Sequence, residues 1–354
     1  MSGFRESEFT EVASGLQYPE GPVWLPDGTL LAVDVKAGTL VRFKSCPQNP
    51  DKYIAAAPVN LGGSPNGAAL GPDGALYICN SGGFFFQTLG PPLLPFTLNI
   101  PVAPSPTYKG GIIQRVSLAD GTFETWCATN SVAPAVTSCL SPRTPLPLDP
   151  RGLRSPDDLV FDSTGGMWFT DWGKPEAFSR DITGVYYLPA GSHTPILKIP
   201  GRESPNGIVI SPDGKRLYVA ETNPRCIQYW ELDGPGSIKC NPRGLDGAFL
   251  HTGAFPGGGQ PDSMKIDRDG NLYVATLIPK GLDPTSSGGI SVFSPEGKLA
   301  DYIELTVGGI PEPLPSNICF GGPDRRTAFI TLAGTGRIVS CRMKIPGLKP
   351  AFGG

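Results

Sequence analysis

The sequence predicts an all-β chain folded as a single six-bladed β-propeller over residues 1–354, with four-stranded antiparallel blades around a central channel. Two observations carry this. A hairpin-like segment recurs six times, and its interval matches one blade. The first copy runs Tyr18-Pro19-Glu20-Gly21-Pro22-Val23-Trp24-Leu25-Pro26-Asp27-Gly28 and on through Thr29 to Asp34; later copies begin at Pro65, Pro156, Pro205, Pro261 and Pro315. Each has a proline-led start, an apolar run, in most copies an Asp-Gly-type turn, and a second apolar run such as Leu217-Tyr218-Val219-Ala220-Glu221. Asp-Gly supplies a tight turn and β-branched or aromatic residues suit a pleated buried surface, so each copy reads as a β-hairpin. The prolines are spaced by 46, 91, 49, 56 and 54 residues, and periods of about 40–50 residues mark propeller blades.

Taken in order, Phe9-Thr10-Glu11-Val12 alternates like a strand. It is expected to close the ring by pairing with Ile338-Val339-Ser340-Cys341, since closure removes exposed sheet edges. Thr39–Phe43 and Tyr53–Ala56 supply the outer strands of blade one. The spacing of 91 residues is a blade with insertions: Phe84-Phe85-Phe86 begins a proline-rich run over about 84–110, and a second Pro- and Ser-rich stretch covers 128–150. So many prolines exclude a central strand. The length and apolar character of the first insertion suit a lid over one face as well as a plain surface insertion. Gly184–Leu188, Cys226–Trp230, Gly289–Phe293 and Gly336–Ser340 read as third strands, and no segment has a helical period.

Composition limits the partners. The 47 glycines and 40 prolines make up about a quarter of the chain, and they fall at periodic turns. Charged residues are 17% and the net charge is -3 without a basic run, which gives no reason to expect nucleic acid. Met1–Glu8 lacks the apolar region of a signal peptide and no stretch reaches about 18 apolar residues, so cytoplasmic residence and no membrane partner are expected. A monomer is expected. The eight cysteines include two pairs, Cys127/Cys139 and Cys226/Cys240, that could close loops; no CxxC occurs, and buried thiols are the simpler reading.

The residue after each repeat proline carries the chemistry. These are Glu20, Asn66, Asp157, Asn206, Asp262 and Ser316, and five of the six offer hard oxygen donors. Equivalent positions of a propeller form a ring about the axis, and carboxylate and amide oxygens converging on one point suit calcium or a similar hard cation. An Asx residue after proline can also merely cap a turn. The column as a whole favours one divalent cation, calcium first, with zinc, manganese or magnesium as alternatives.

At these residues the chain resembles the senescence marker protein/gluconolactonase family and, more distantly, diisopropyl fluorophosphatase. The likeness covers most of residues 18–341 and rests on Pro19–Trp24, on Ser155-Pro156-Asp157-Asp158 with Trp168–Asp171, on Ser204–Gly207 and on Pro261–Asp267. It implies a six-bladed propeller with a divalent cation on the axis and metal ligands at Glu20, Asp157, Asn206 and Asp262. Asp157-Asp158 departs from the family's usual Asn-Asp. With Glu20, Asp157 and Asp262 all ionised, the site carries one negative charge beyond a divalent ion, which tightens metal binding, keeps a proton on one carboxylate, or marks an altered site.

The two histidines, His193 and His251, lie in loop-like contexts away from the proline column, which argues against a histidine triad; no GxSxG or HExxH is present. The resemblance therefore implies metal-dependent opening of a lactone or ester by a polarised carbonyl and a carboxylate-activated water, with Asp262 as the catalytic base. Asn66 and Asp158 are candidates for substrate binding, and Asp158 also for orienting Asp157. Asp171, Glu221 and Asn223 end inner strands and read as structural; Trp24, Trp168 and Tyr218 read as core. The alternatives are a metal-dependent propeller enzyme of another chemistry, such as phosphotriester hydrolysis or secondary-metabolite tailoring, or a non-enzymatic binding scaffold. The apolar 84–110 insertion favours a substrate less polar than a sugar lactone.

Overall fold

Each recurring segment folds as the two innermost strands of one blade. In the computed structural model, which describes residues 9–46, 49–130, 151–176, 179–239, 247–253, 255–277 and 286–353, these pairs are Pro19–Trp24 with Thr29–Asp34, Pro65–Leu70 with Leu76–Asn80, and Pro156–Phe161 with Met167–Asp171. Pro205–Ile210 with Arg216–Glu221, Gln260–Ile266 with Leu272–Leu277, and Pro315–Gly321 with Thr327–Leu332 complete the six. Every pair continues outward through a third and a fourth antiparallel strand. In the last blade the fourth strand is Thr10–Ala13, which pairs with Arg337–Arg342 through Thr10 opposite Ser340 and Glu11 opposite Val339. The N-terminal segment thus closes the ring as its alternation predicts.

The core lies between blades. Ile290, Ile303, Ile318, Phe320 and Ile330 pack together across the fifth and sixth blades, and Trp24 stacks on Phe329 at 5.0 Å between the first and sixth. Trp168 and Tyr218 are likewise buried. Each such side chain contributes about 1.5–3 kcal/mol on burial. Polar bonds stitch the seams: Ser81 donates to the Pro156 carbonyl (3.2 Å), Thr170 to that of Asn206 (2.7 Å) and Ser316 to that of Pro19 (2.8 Å).

In three blades the residue after the donor column is a glycine, Gly21, Gly67 or Gly207, and the neighbouring inner strand leaves it little room for a side chain. A Cβ on Gly21 would sit 2.3 Å from the Asn66 carbonyl oxygen, and one on Gly67 would sit 2.5 Å from that of Asp157.

The 84–110 insertion is a hairpin, Phe84–Leu89 with Leu98–Pro104, between the second and third strands of blade two. Residues 131–150 of the second insertion, and Cys139 and Cys240 of the suggested cysteine pairs, lie outside the described residues. Cys79, Cys127, Cys226 and Cys319 are buried thiols. Among the described residues no helix is long and apolar enough to cross a membrane.

Candidate functional site

A repeated device positions the donor column. The second strand of a blade ends beside the start of the first, as in Pro19 opposite Asp34 and Pro156 opposite Asp171. The side chain at that end turns back to accept N–H groups of the loop before the first strand. Asp34 accepts from Gln17 (2.7 Å) and Tyr18 (3.1 Å), Asn80 from Ser64 (3.0 Å), Asp171 from Arg154 (2.7 Å) and Ser155 (2.6 Å), and Glu221 from Glu203 (3.3 Å). Asp171 and Glu221 therefore serve the scaffold. The sixth blade uses Glu312 instead, whose carboxylate takes the N–H groups of Leu314, Gly334 and Thr335.

With the loops so held, the column residues meet at one end of the channel. Asn66 donates its amide to Asp157 Oδ2 at 3.1 Å. Asn206 donates to Asp262 Oδ1 and, at 3.3 Å, to Thr222 Oγ1. Glu20 Oε2 accepts the Gly21 N–H (2.7 Å) and the Asn317 amide (2.8 Å). Ser316 stays out of this set, since its hydroxyl is turned to backbone carbonyls; Asn317, one residue on, reaches Glu20 in its place. The proline column does not mark that role, because Asn317 sits two residues after Pro315, at the register position that Asp158 holds in its own blade.

Asp158 faces away from the mouth. Fully buried, it accepts the Leu159 N–H at 2.9 Å and pairs with the Lys265 ammonium at 3.2 Å. Lys265 escaped the sequence reading, though a lysine inside the apolar run Met264-Lys265-Ile266 is a legible oddity. Asn223 is exposed just past the second strand of its blade, where its amide reaches Glu203 at 3.3 Å and its oxygen accepts from Gln260 at 3.4 Å. His193 packs at a tilt on Trp126, and His251 meets Phe255 edge-on and Phe293 at a tilt, neither in the ring.

Burial dominates the electrostatics. Glu20, Asp157 and Asp262 are each less than a tenth exposed. Desolvation raises the Glu20 carboxyl to about 7 against the pull of Asn317 and Gly21. Burial, then the charges of Asp262 and Glu20, push Asp157 well up, and burial followed by the charge of Glu20 does the same to Asp262. Burial also raises the Tyr18 phenol, with Asp262, Glu20 and Asp157 adding to it.

Three carboxylates in mutual range call for a positive partner. Among the described residues no three Asp, Glu, His or Cys side chains already close on a point as a metal cluster; amide-to-carboxylate bonds hold the ring instead. Two buried oxygens, Asp157 Oδ1 and Asn66 Oδ1, have no hydrogen-bond partner among the described residues. Hard, anionic, unsatisfied oxygens fit a hard divalent cation.

The inserted hairpin stands at this end of the channel. Phe86 packs on Tyr18 at 5.7 Å, and Phe84 meets Trp172 edge-on at 6.0 Å. Lys174, fully buried, places its Nζ 3.2 Å from the centre of the Phe84 ring and donates to the Gly83 carbonyl at 3.1 Å. Burial pushes its amine well below the usual lysine range.

Comparison with known proteins agrees with this architecture. Residues 18–334 match the family model described as SMP-30/Gluconolactonase/LRE-like region. A gluconolactonase of Zymomonas mobilis subsp. mobilis is 26% identical over 344 residues, spanning 90% of this chain and 77% of that protein. Among solved structures, a gluconolactonase from Xanthomonas campestris superposes with a TM-score of 0.62 at 19% identity, covering 96% of this chain and 89% of that one. Regucalcin, a calcium-binding protein from Agrobacterium tumefaciens, does so with a TM-score of 0.63 at 14% identity, over 97% and 95% of the two chains. With the repeats, the closed ring of six blades and the match over residues 18–334 in agreement, the chain belongs to the SMP-30/gluconolactonase/LRE-like family.

Proposed function

We propose that this protein is a lactone hydrolase whose chemistry takes place at the Glu20, Asp157, Asn206 and Asp262 ring. The observation that carries this reading is the buried group of three carboxylates with two orphaned oxygens, in a chain whose curated relative is a gluconolactonase. Those four residues would hold one divalent cation, calcium first, as hard oxygen donors. Bound there, a divalent cation supplies polarisation of the lactone carbonyl and stabilisation of the oxyanion. Asp262 acts as general base: its carboxylate, steadied by the Asn206 amide, takes a proton from the attacking water. The water oxygen bonds to the carbonyl carbon, the ring C–O bond breaks, and the proton passes to the leaving alkoxide, giving a hydroxy acid. Asn66 orients the substrate through its unpaired oxygen.

The aromatic mouth formed by Tyr18, Phe84, Phe86 and Trp172 favours aliphatic or aryl lactones over sugar lactones, and nothing in the chemistry needs a second subunit. The test is pH-stat turnover of a panel of sugar and aliphatic lactones before and after chelation, with calcium, zinc, manganese or magnesium restored. Activity lost with the chelator and regained with a cation supports the reading. Cation binding without opening of any lactone moves the ring to another reaction, and absence of cation binding removes the metal from it.

A further inference from the structure

The other end of the channel opens into a cavity of about 500 Å³. It lies on the face that carries the hairpin turns, away from the Glu20–Asp262 ring. The C-terminal segment from Leu348 to Gly353 forms part of its wall. Arg325 secures that segment by donating to the Gly347 carbonyl (3.2 Å) and the Leu348 carbonyl (2.7 Å), while the Leu348 N–H bonds to Ile266 (3.0 Å) and Phe352 meets Phe161 edge-on at 5.9 Å.

The walls are mainly apolar, with Leu70, Leu159, Ile208 and Ile210 contributed by the first strands of three blades. Two donors interrupt them. Lys265 Nζ has Asp158 as its only acceptor among the described residues, which leaves further N–H groups to offer. Trp168 is fully buried, and its indole N–H has no acceptor among the described residues. The lining carboxylates Asp162 and Asp213 are engaged: Asp162 accepts the Tyr187 and Thr164 hydroxyls and the Gly166 N–H, and Asp213 accepts the Ser211 hydroxyl and the Lys215 N–H. Arg325 and Lys349 add positive charge to the rim. An apolar cavity with a few donors and no uncommitted carboxylate is shaped for an apolar molecule bearing an anionic acceptor.

We propose that this cavity is a second small-molecule site that binds an apolar monocarboxylate, its head group at Lys265 and its body against Leu70, Leu159, Ile208 and Ile210. None of Glu20, Asn66, Asp157, Asn206 and Asp262 lines the cavity, and binding there needs neither cation nor turnover, so it stands or falls apart from the lactonase reading.

Calorimetric titration of the whole chain in chelator with hexanoate, octanoate and decanoate, and with 1-octanol as the uncharged match, tests it. One site per chain is expected, with affinity rising up to about fourfold per added methylene and octanol at least about tenfold weaker than octanoate. Ile210→Trp, which fills the cavity and leaves Lys265 in place, should abolish binding of both. Lys265→Met combined with Asp158→Asn, which removes the pair without stranding a buried charge, should cost octanoate about tenfold and leave octanol unchanged. Thermal melting confirms that each variant is folded. The proposal is overturned by absence of saturable binding, by equal affinity for octanoate and octanol, or by octanoate binding that survives Ile210→Trp.

Discussion

Asn66 donates its side-chain amide to Asp157 across the seam between the second and third blades, at 3.1 Å, and both residues keep one buried oxygen with no donor among the described residues. A buried acceptor left unsatisfied costs about 1–3 kcal/mol, and here one of the two belongs to a carboxylate already crowded by Asp262 and Glu20. The ring is thus strained in charge and in hydrogen bonding at the same atoms, and a cation would relieve both.

Divalent cation should therefore stabilise the fold. At a free concentration of about 100 Kd the gain is about 2.7 kcal/mol, read as a rise of a few degrees in melting temperature over the chelated protein. Asp157→Asn should raise the melting temperature in chelator by relieving like-charge repulsion and shrink the increment that calcium adds. Scanning calorimetry with and without chelator measures both. An unchanged calcium increment in the variant would remove Asp157 from the ligand set.

In chelator, stability should fall as the solution becomes more alkaline. Burial raises Glu20 to about 7 from an ordinary 4.5, so the folded state holds this proton more tightly than the unfolded chain. The stabilisation is complete below about 4.5 and is lost as pH rises through about 7. Asp157 and Asp262 are shifted the same way and extend the trend. Calcium needs ionised carboxylates, so its stabilising increment should grow over the same window. Melting temperatures at pH 5, 6, 7 and 8 decide the matter, and a chelated protein that gains stability across that range contradicts the picture.

Asp262→Asn keeps the volume and the contact with Asn206 while removing the base. Turnover of the best lactone should fall by about 10²–10⁴, with folding retained because one buried negative charge has been lost. A variant that keeps wild-type turnover places the base elsewhere.

Much of this was legible because the propeller writes its chemistry periodically. Proline at each inner-strand start and Asp-Gly at the turns give the blade count, and the residue after proline gives the ring members Glu20, Asn66, Asp157, Asn206 and Asp262. What escaped was aperiodic. Asn317 is one position off the column, and Lys265 sits in an apolar strand where periodicity assigns core. Lys174 follows a strand end as an ordinary loop residue would, and only the folded insertion buries it under Phe84 and Tyr108. Contacts between one repeat and another's insertion leave no local pattern to read.

That insertion makes a specific demand on specificity. The hairpin's arm is pinned where Lys36 donates to Asn99 (2.6 Å) and Thr88 (3.0 Å) and where Asn99 donates to the Gln17 carbonyl (2.8 Å). Its root is fixed by Lys174 and Gly83. If the arm acts as a lid, Asn99→Ala frees it without touching the ring: amide hydrogen exchange over residues 84–104 should quicken by about tenfold or more, as loss of a bond to a charged group at about 1.5–3 kcal/mol implies. The global melting temperature should move little, because the hairpin contributes no strand to a blade. Phe86→Ala removes the ring that meets Tyr18, so kcat/KM for aliphatic or aryl lactones should drop relative to sugar lactones. Unchanged selectivity alongside quickened exchange would make the hairpin a cover for the Tyr18 edge and leave the substrate preference to the ring alone.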